Sequence, residues 1–320
     1  MPKISIITPC YFNEKNIPIT FAALLENEKN FPEGTEIEYV FVDDGSTDNT
    51  FGELQKIQKL YPNKVTAIKL SRNFGANCAS FAGISNAKGD CSVILSADLQ
   101  DPPGLIPELY KHWLKGYKLV LAQKVDREDT FLTKLFSNTY HNLVRRFILK
   151  NAPKGGFDLW LFDKTLREDI IKMNEKNFHL PTLFMWLGYD YVSIPYTRRK
   201  REIGTSGWTF SKKMTTFIDS FVGFTNLPLR MITIAGFTLG LFAVVYAVSI
   251  IVNSVINGFE VEGWSSLMIV LLFVSSFIMV SLGILGEYLY RTLDATRDRP
   301  SFVIEEMNKS NSEEIDKTKS

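Results

Sequence analysis

Two rhythms of apolar positions divide the chain. Over the first third, short apolar runs at Ile4–Ile7, Ile37–Val42, Val65–Leu70 and Ser92–Leu95 alternate with longer stretches at Ile17–Asn27, Thr50–Leu60, Ala76–Ala87 and Gly104–Leu114. The short runs predict strands and the longer, helically patterned stretches predict helices. Their alternation predicts right-handed βαβ units, and so an α/β domain on a mostly parallel sheet covered on both faces. Toward the C-terminus the pattern changes. Met231–Val252 and Leu267–Gly286 contain no charged side chain, and a hydrocarbon core about 30 Å thick needs roughly 20 apolar helical residues. Both stretches are therefore predicted to span a membrane.

The charges around these stretches predict an orientation. Lys212, Lys213 and Arg230 precede the first, Arg291, Arg297 and Arg299 follow the second, and the loop Asn253–Ser266 carries Glu260 and Glu262 but no Lys or Arg. Basic flanks stay inside, so both termini and the α/β domain are expected in the cytoplasm of a multi-pass membrane protein. The N-terminus runs straight into a strand pattern and lacks the features of a signal peptide.

Two amphipathic stretches carry basic residues. One is 131–149, with Leu132, Leu135, Phe136, Tyr140, Leu143 and Phe147 on one face; it suits either the headgroup plane or packing on the domain core. The other, within 208–228, has Phe210, Met214, Phe217, Ile218 and Phe221 beside Lys212 and Lys213, and its place before a span favours the interface. The expected plan is a cytosolic domain over 1–207, a juxtamembrane helix over 208–228, the helix pair over 229–290 and a cytoplasmic tail over 291–320. The tail from Glu305 to Ser320 is polar without apolar periodicity, which predicts disorder.

Composition removes several classes. With a net charge of +1 there is no basic excess to neutralise a nucleic-acid backbone. Cys10, Cys78 and Cys91 lack metal-ligand spacing and read as small core residues in a reducing compartment. His112, His141 and His179 are isolated. The glycine-rich dinucleotide fingerprint is absent, so a Rossmann dehydrogenase is not supported.

Polar clusters follow each predicted strand: Thr8–Glu14, Asp43–Ser46, Ser71–Gly75 and Ser96–Asp101. Parallel sheets bind ligands beyond the carboxyl ends of their strands, where these clusters fall together. As a bare pattern, Asp43-Asp44-Gly45-Ser46 is also a turn and a helix N-cap. The ordered segments TPCYFNE, FVDDGSTD, SRNFG, SADLQDPP, GGFDLWLFDK and RKREIGTSGW resemble the family 2 glycosyltransferases, and within them the polyprenyl-phosphate group that includes bactoprenol glucosyltransferases and dolichol-phosphate mannose synthase. The resemblance covers the whole chain, two C-terminal spans included, and implies a GT-A fold.

It also implies a chemistry. A nucleoside diphosphate gains negative charge as it leaves a sugar, and a divalent metal on hard oxygen ligands neutralises it. By resemblance Asp98 and Gln100 hold Mg2+ or Mn2+, while Pro9, Tyr11, Glu14, Asp43, Asp44 and Asp98 bind the nucleotide-sugar. Arg72 contacts the diphosphate or serves the structure. Asp158 matches the catalytic aspartate, and Arg201 with Ser206 takes the acceptor phosphate or the donor diphosphate. Arg198, Arg199 and Lys200 read instead as a basic patch at a membrane surface.

Three positions depart from the family pattern: Ser96 stands where an aspartate is usual, Trp160 where an arginine is usual, and Gly207 where many relatives have lysine. The implied reaction is inverting transfer of one sugar, glucose first, from a UDP-sugar to undecaprenyl (polyprenyl) phosphate at the cytoplasmic face, by a homo-oligomer, tetrameric in relatives. N-acetylhexosamine, galactose or aminoarabinose donors stay open. So does a non-catalytic nucleotide-sugar-binding scaffold, which Ser96 keeps alive. A processive synthase would need more spans and a QxxRW segment, and neither is present.

Overall fold

In the computed structural model, strand β1 (Lys3–Cys10) has five consecutive buried residues from Ile4 to Thr8, which is why it reads as a continuous run rather than an alternation. The structure describes residues 2–126, 142, 145–146, 149, 153, 156–173, 175, 179–197, 224–257, 263–297 and 299–310. The predicted βα units follow in order: helix α1 (Asn16–Asn27), β2 (Glu36–Asp43), α2 (Thr50–Leu60), β3 (Val65–Leu70), α3 (Ala76–Asn86), β4 (Cys91–Ile94) and α4 (Leu105–Leu114). The chain continues through β5 (Leu119–Asp126), β6 (Phe157–Asp163), α5 (Lys164–Met173), α6 (Leu180–Trp186) and β7 (Tyr191–Thr197). After helices α7 (Leu227–Asn257) and α8 (Trp264–Thr296) comes a last strand, β8 (Ile304–Asn308).

Among the described residues the strands form one 8-stranded sheet in the order β7-β5-β6-β4-β1-β2-β3-β8. β1 pairs in parallel with both β2 and β4, and β2 with β3. β6 runs antiparallel to β4 and β5, and β8 antiparallel to β3. The remaining strands therefore share one direction, with their carboxyl ends at one edge. Ile4, Ile6, Tyr39, Phe41, Val93 and Leu161 lie in the core cluster with Ile17, Phe21 and Leu24 of α1 and Ile106 and Leu109 of α4. Each such side chain removed from water stabilises the fold by roughly 1.5–3 kcal/mol.

The tail departs from expectation. Residues 305–308, expected to be disordered, instead join Ile304 in β8 on the outer edge of β3. In its sequence, IEEMN, the adjacent Glu305 and Glu306 are both exposed, and the strand is held by backbone pairing, a source of stability that leaves little apolar signature. Lys69 pairs with Glu305 at 3.0 Å, and Gln55 donates to Glu306 at 2.8 Å.

The chain divides into two units, 1–216 with 300–320, and 217–299. In the second, Leu227–Asn253 and Val270–Thr296 have mean hydropathies of 2.3 and 2.1 and no buried residue in their most apolar windows. Both are long and apolar enough to cross a membrane. A Cβ on Gly236 of α7 would lie 3.7 Å from the Phe277 ring of α8, whereas one on Gly240 would meet nothing within 4 Å. Most of the predicted amphipathic stretches, 131–149 and 208–228, lies outside the described residues.

Candidate active site

The site grows from the ends of the parallel strands. After β1 the chain turns sharply: Phe12 adopts the left-handed conformation at φ 53°, leaving Tyr11 and Phe12 45% and 51% exposed with rings in edge contact. Backbone amides bind this turn to the loop after β2. The Phe12 amide donates to Ser46 Oγ at 3.0 Å, and the Asn13 amide to Thr50 Oγ1 at 2.9 Å. Glu14 is exposed in the same turn, with the Asn49 amide 3.4 Å from its carboxylate, and Pro9 is half-buried at the strand end opposite Val42.

Asp43 and Asp44 end β2 and do different things. Asp43 is fully buried; its Oδ1 accepts the amide and hydroxyl of Ser46, while its Oδ2 has no hydrogen-bond partner among the described residues. Burial pushes its carboxyl above the usual range despite the Ser46 bonds. Asp44 spends both oxygens on the loop after β3, accepting the Phe74 amide at 2.7 Å and the Gly75 amide at 2.9 Å. Burial raises its carboxyl too, against those two bonds.

The Asp-Asp-Gly-Ser segment is thus a turn but not a helix cap. Helix α2 begins at Thr50, whose amide is taken by Asp48 at 3.1 Å. Gly45 sits at φ 65°, where a Cβ would lie 2.4 Å from the Arg72 carbonyl carbon. The loops after β2 and β3 therefore touch backbone to backbone. Arg72 is exposed and lies over the Phe74 ring, 4.1 Å from its centroid.

After β4, Ser96 Oγ donates to Asp98 Oδ1 at 2.8 Å, and the Gln100 amide approaches the same oxygen at 3.2 Å. Leu99 between them is left-handed at φ 54°. Thr20 Oγ1 donates to the Ala97 carbonyl at 2.7 Å and anchors the loop to α1. Asp101 is 3% exposed and accepts the Tyr196 hydroxyl of β7 at 2.6 Å. Sequence reading missed Tyr196, which lies 95 residues from its partner and carries no motif.

Asp158 arrives from the opposite direction. Val93 pairs with Leu161 in antiparallel register, so the start of β6, where Asp158 lies, reaches past the carboxyl end of β4 toward Ser96. The register of β5 against β6 shifts between Ala122 and Gln123, beside this position; such irregularities re-aim side chains near sites. Trp160 is 6% exposed and packs edge-on against both Phe157 and Phe184 of α6. Position 160 is aromatic packing here, so no charge flanks Asp158 from it.

One sheet edge therefore gathers Pro9, Tyr11, Glu14, Asp43, Asp44, Arg72, Asp98, Gln100 and Asp158. Arg201 and Ser206 lie outside the described residues. Among the described residues no group of three or more His, Cys, Asp and Glu side chains is arranged to hold a metal ion by itself.

A glycosyl transferase family 2 model matches residues 5–172. CsbB of Bacillus subtilis, which carries a glycosyltransferase name, is 33% identical over 307 residues, covering 95% of this chain and 92% of that protein. A prophage bactoprenol glucosyl transferase homolog of Escherichia coli is 30% identical over 308 residues, covering 96% of this chain and 100% of that protein. Among solved structures, mannosyltransferase PcManGT from Pyrobaculum calidifontis, in complex with GDP-Man and Mn2+, aligns with 91% of this chain and 84% of its own at 17% identity and a TM-score of 0.48. The family match takes in the loops after β1 to β4 and Asp158, and the two relatives extend it through both long helices; with its GT-A-like, mostly parallel sheet, the chain belongs to glycosyl transferase family 2.

Proposed function

We propose that this glycosyltransferase moves one sugar, glucose first, from a UDP-sugar to a polyprenyl phosphate at the cytoplasmic membrane face, inverting the anomeric centre. The observation that carries the reading is the convergence of Asp43, Asp44, Asp98 and Asp158 on one sheet edge of a chain that also holds two helices of membrane-spanning length. A lipid acceptor stays in the bilayer, and anchoring the enzyme there raises its effective concentration. β1 to β7 precede the helix pair and β8 follows it, yet all share one sheet. In this reading two spans return the chain to the side it left, which the place of β8 in the sheet of β1 to β7 supports. The name of the bactoprenol glucosyl transferase homolog supports the lipid acceptor.

In this reading the turn at Tyr11–Glu14 and the buried Asp43 take the nucleotide, and Arg72 faces the diphosphate. The donor set at Ser96–Gln100 suits Mg2+ or Mn2+, which bind through one or two carboxylates and complete their shell with substrate phosphates and water. Asp98, with the Gln100 side chain, would hold the ion, which supplies neutralisation of the charge the departing diphosphate gains. Asp158 orients the acceptor phosphate and removes the proton from any monoanion. A phosphate oxygen then attacks the anomeric carbon from the face opposite the diphosphate, the carbon–oxygen bond to UDP breaks, and configuration inverts. Arg201 and Ser206 are assigned to phosphate by a guanidinium's fit to planar, bidentate contacts.

The test is to incubate the purified chain in lipid with a panel of labelled UDP-sugars, Mg2+ or Mn2+, and a polyprenyl phosphate. Labelled lipid is expected, with UDP-glucose fastest. UDP binding without lipid product under either ion would replace this reading with the scaffold. Ser96, which leaves Asp98 without a second carboxylate in its Ser96–Gln100 loop, is what favours that outcome.

A further inference from the structure

The strand beyond the helix pair meets the donor side of the site. β8 pairs antiparallel with β3, Ile68 opposite Met307 and Leu70 opposite Ile304. The pairing continues one step past the strand, where the Ser71 amide donates to the Val303 carbonyl at 2.9 Å. Phe302 sets its ring edge-on to Phe81 of α3 at 6.0 Å. Further along, Gln58 donates to the Lys309 carbonyl at 3.2 Å, and Ser310 is 4% exposed.

Ser71 opens the loop that carries Arg72 and ends in the two amides bound by Asp44. That loop is gripped on one flank by Asp44 and Gly45 and on the other by Val303. Phe302 also packs on the helix the loop leads into. Without residues 300–310, β3 would expose an unpaired edge, and the Ser71 amide would lose its acceptor. No side chain of β8 is fully buried, so core stability is a minor part of what it supplies.

We propose that residues 300–310 are a positioning element for Ser71–Gly75, so that the nucleotide site is finished only when the chain has come back from the helix pair. The inference rests on the reading of Asp44 and Arg72 as part of the donor site. It implies that affinity for the UDP-sugar, and not for the lipid phosphate, depends on the tail.

The experiment compares the full chain with a chain stopped after Arg299 and with full-length Phe302→Ala, all in lipid nanodiscs. Hydrogen exchange is read at the Ser71, Phe74 and Gly75 amides, and KM is measured separately for UDP-glucose and polyprenyl phosphate. For the stopped chain we expect exchange at these amides and donor KM each to rise about tenfold, the scale of one lost hydrogen bond to a positioned loop, with acceptor KM unchanged. Phe302→Ala should move both in the same direction by less, and an added peptide of residues 300–310 should restore the stopped chain.

A purely structural tail would instead lower the maximal rate through a smaller folded fraction and leave donor KM alone; that result overturns the proposal. Unaltered exchange at 71–75 in both variants overturns it as well. If the stopped chain does not fold, Phe302→Ala decides by the same two readings. If the full chain transfers no sugar, the enzymatic reading fails, and the exchange arm still decides whether the tail positions the loop.

Discussion

Ser96 Oγ donates to Asp98 Oδ1 at 2.8 Å, so the residue standing where family members usually have a carboxylate orients the remaining one instead of adding charge. A site with Asp98 as the one carboxylate of Ser96–Gln100, and Asp101 buried against Tyr196, should hold its ion weakly until the donor diphosphate arrives. Ser96→Asp is expected to lower the Mn2+ concentration for half-maximal turnover by about tenfold, roughly 1.4 kcal/mol. Ser96→Ala, which removes the hydroxyl donor but leaves the Gln100 amide on Asp98 Oδ1, should change it far less. A metal titration of initial rates checks both, and an unmoved midpoint in Ser96→Asp would place the ion away from position 96.

Asp158 meets an acceptor whose phosphate has a second pKa of about 6 and is mostly a dianion at neutral pH. Its contribution as a base should therefore grow as pH falls. Asp158→Asn is expected to lower kcat by about 100-fold at pH 7, by more below pH 6, and to leave donor KM within twofold. Rate profiles over pH 5.5–8.5 test this. Unaltered turnover across that range removes Asp158 from the reaction.

The first four strands and their helices were legible because each is a buried run bounded by polar turns. β8 was not, because IEEMN is held by backbone pairing on β3 and not by apolar patterning. Aspartates at strand ends marked the site, but not the division of labour within it. That Asp44 gives both oxygens to Phe74 and Gly75 while Asp43 keeps one buried oxygen unpaired among the described residues depends on how two loops meet. Trp160 illustrates the same limit: in sequence it is a missing positive charge, and in the fold it is a packing residue against Phe157 and Phe184.

Burial holds the Asp43 carboxyl above its ordinary range, and a protonated carboxyl is a poorer acceptor for a nucleotide base. UDP affinity should then begin to fall at a higher pH than an ordinary carboxylate, with its pKa of about 3.9, would dictate. The linkage to stability has the opposite sign. Between the unfolded and folded pKa values the folded chain binds more protons, so Asp43 makes stability decline as pH rises through that window. Asp43→Asn should flatten both profiles while weakening UDP at neutral pH. Calorimetric titration with UDP and thermal melts over pH 4–7 read the two effects.

Tyr196 and Asp101 are joined inside the protein at 2.6 Å, tying the loop of Asp98 to the strand that runs into residues 198–206. Tyr196→Phe removes the hydroxyl and leaves a buried carboxylate with one donor fewer. The expected loss is about 1–3 kcal/mol of stability, measured by denaturant midpoint. The metal midpoint should rise as well, because Asp98 lies three residues from the lost anchor. A stability loss with an unchanged metal midpoint would confine the bond to holding the fold.

Gly45 and Gly75 both lie at positive φ, 65° and 96°, but their surroundings differ. A Cβ at Gly75 would meet nothing within 4 Å, whereas one at Gly45 would lie 2.4 Å from the Arg72 carbonyl carbon and 2.6 Å from its Cα. Gly75→Ala should therefore cost only the strained backbone, on the order of 1–3 kcal/mol. Gly45→Ala bears a backbone cost of about 1–2 kcal/mol and must also push the two loops apart. Because the displaced backbone is that of Arg72, the second substitution should weaken UDP binding well beyond the first. Thermal melts and UDP titrations on the pair separate conformational strain from close approach. Equal UDP affinities would mean that the contact between Gly45 and Arg72 does not shape the donor site.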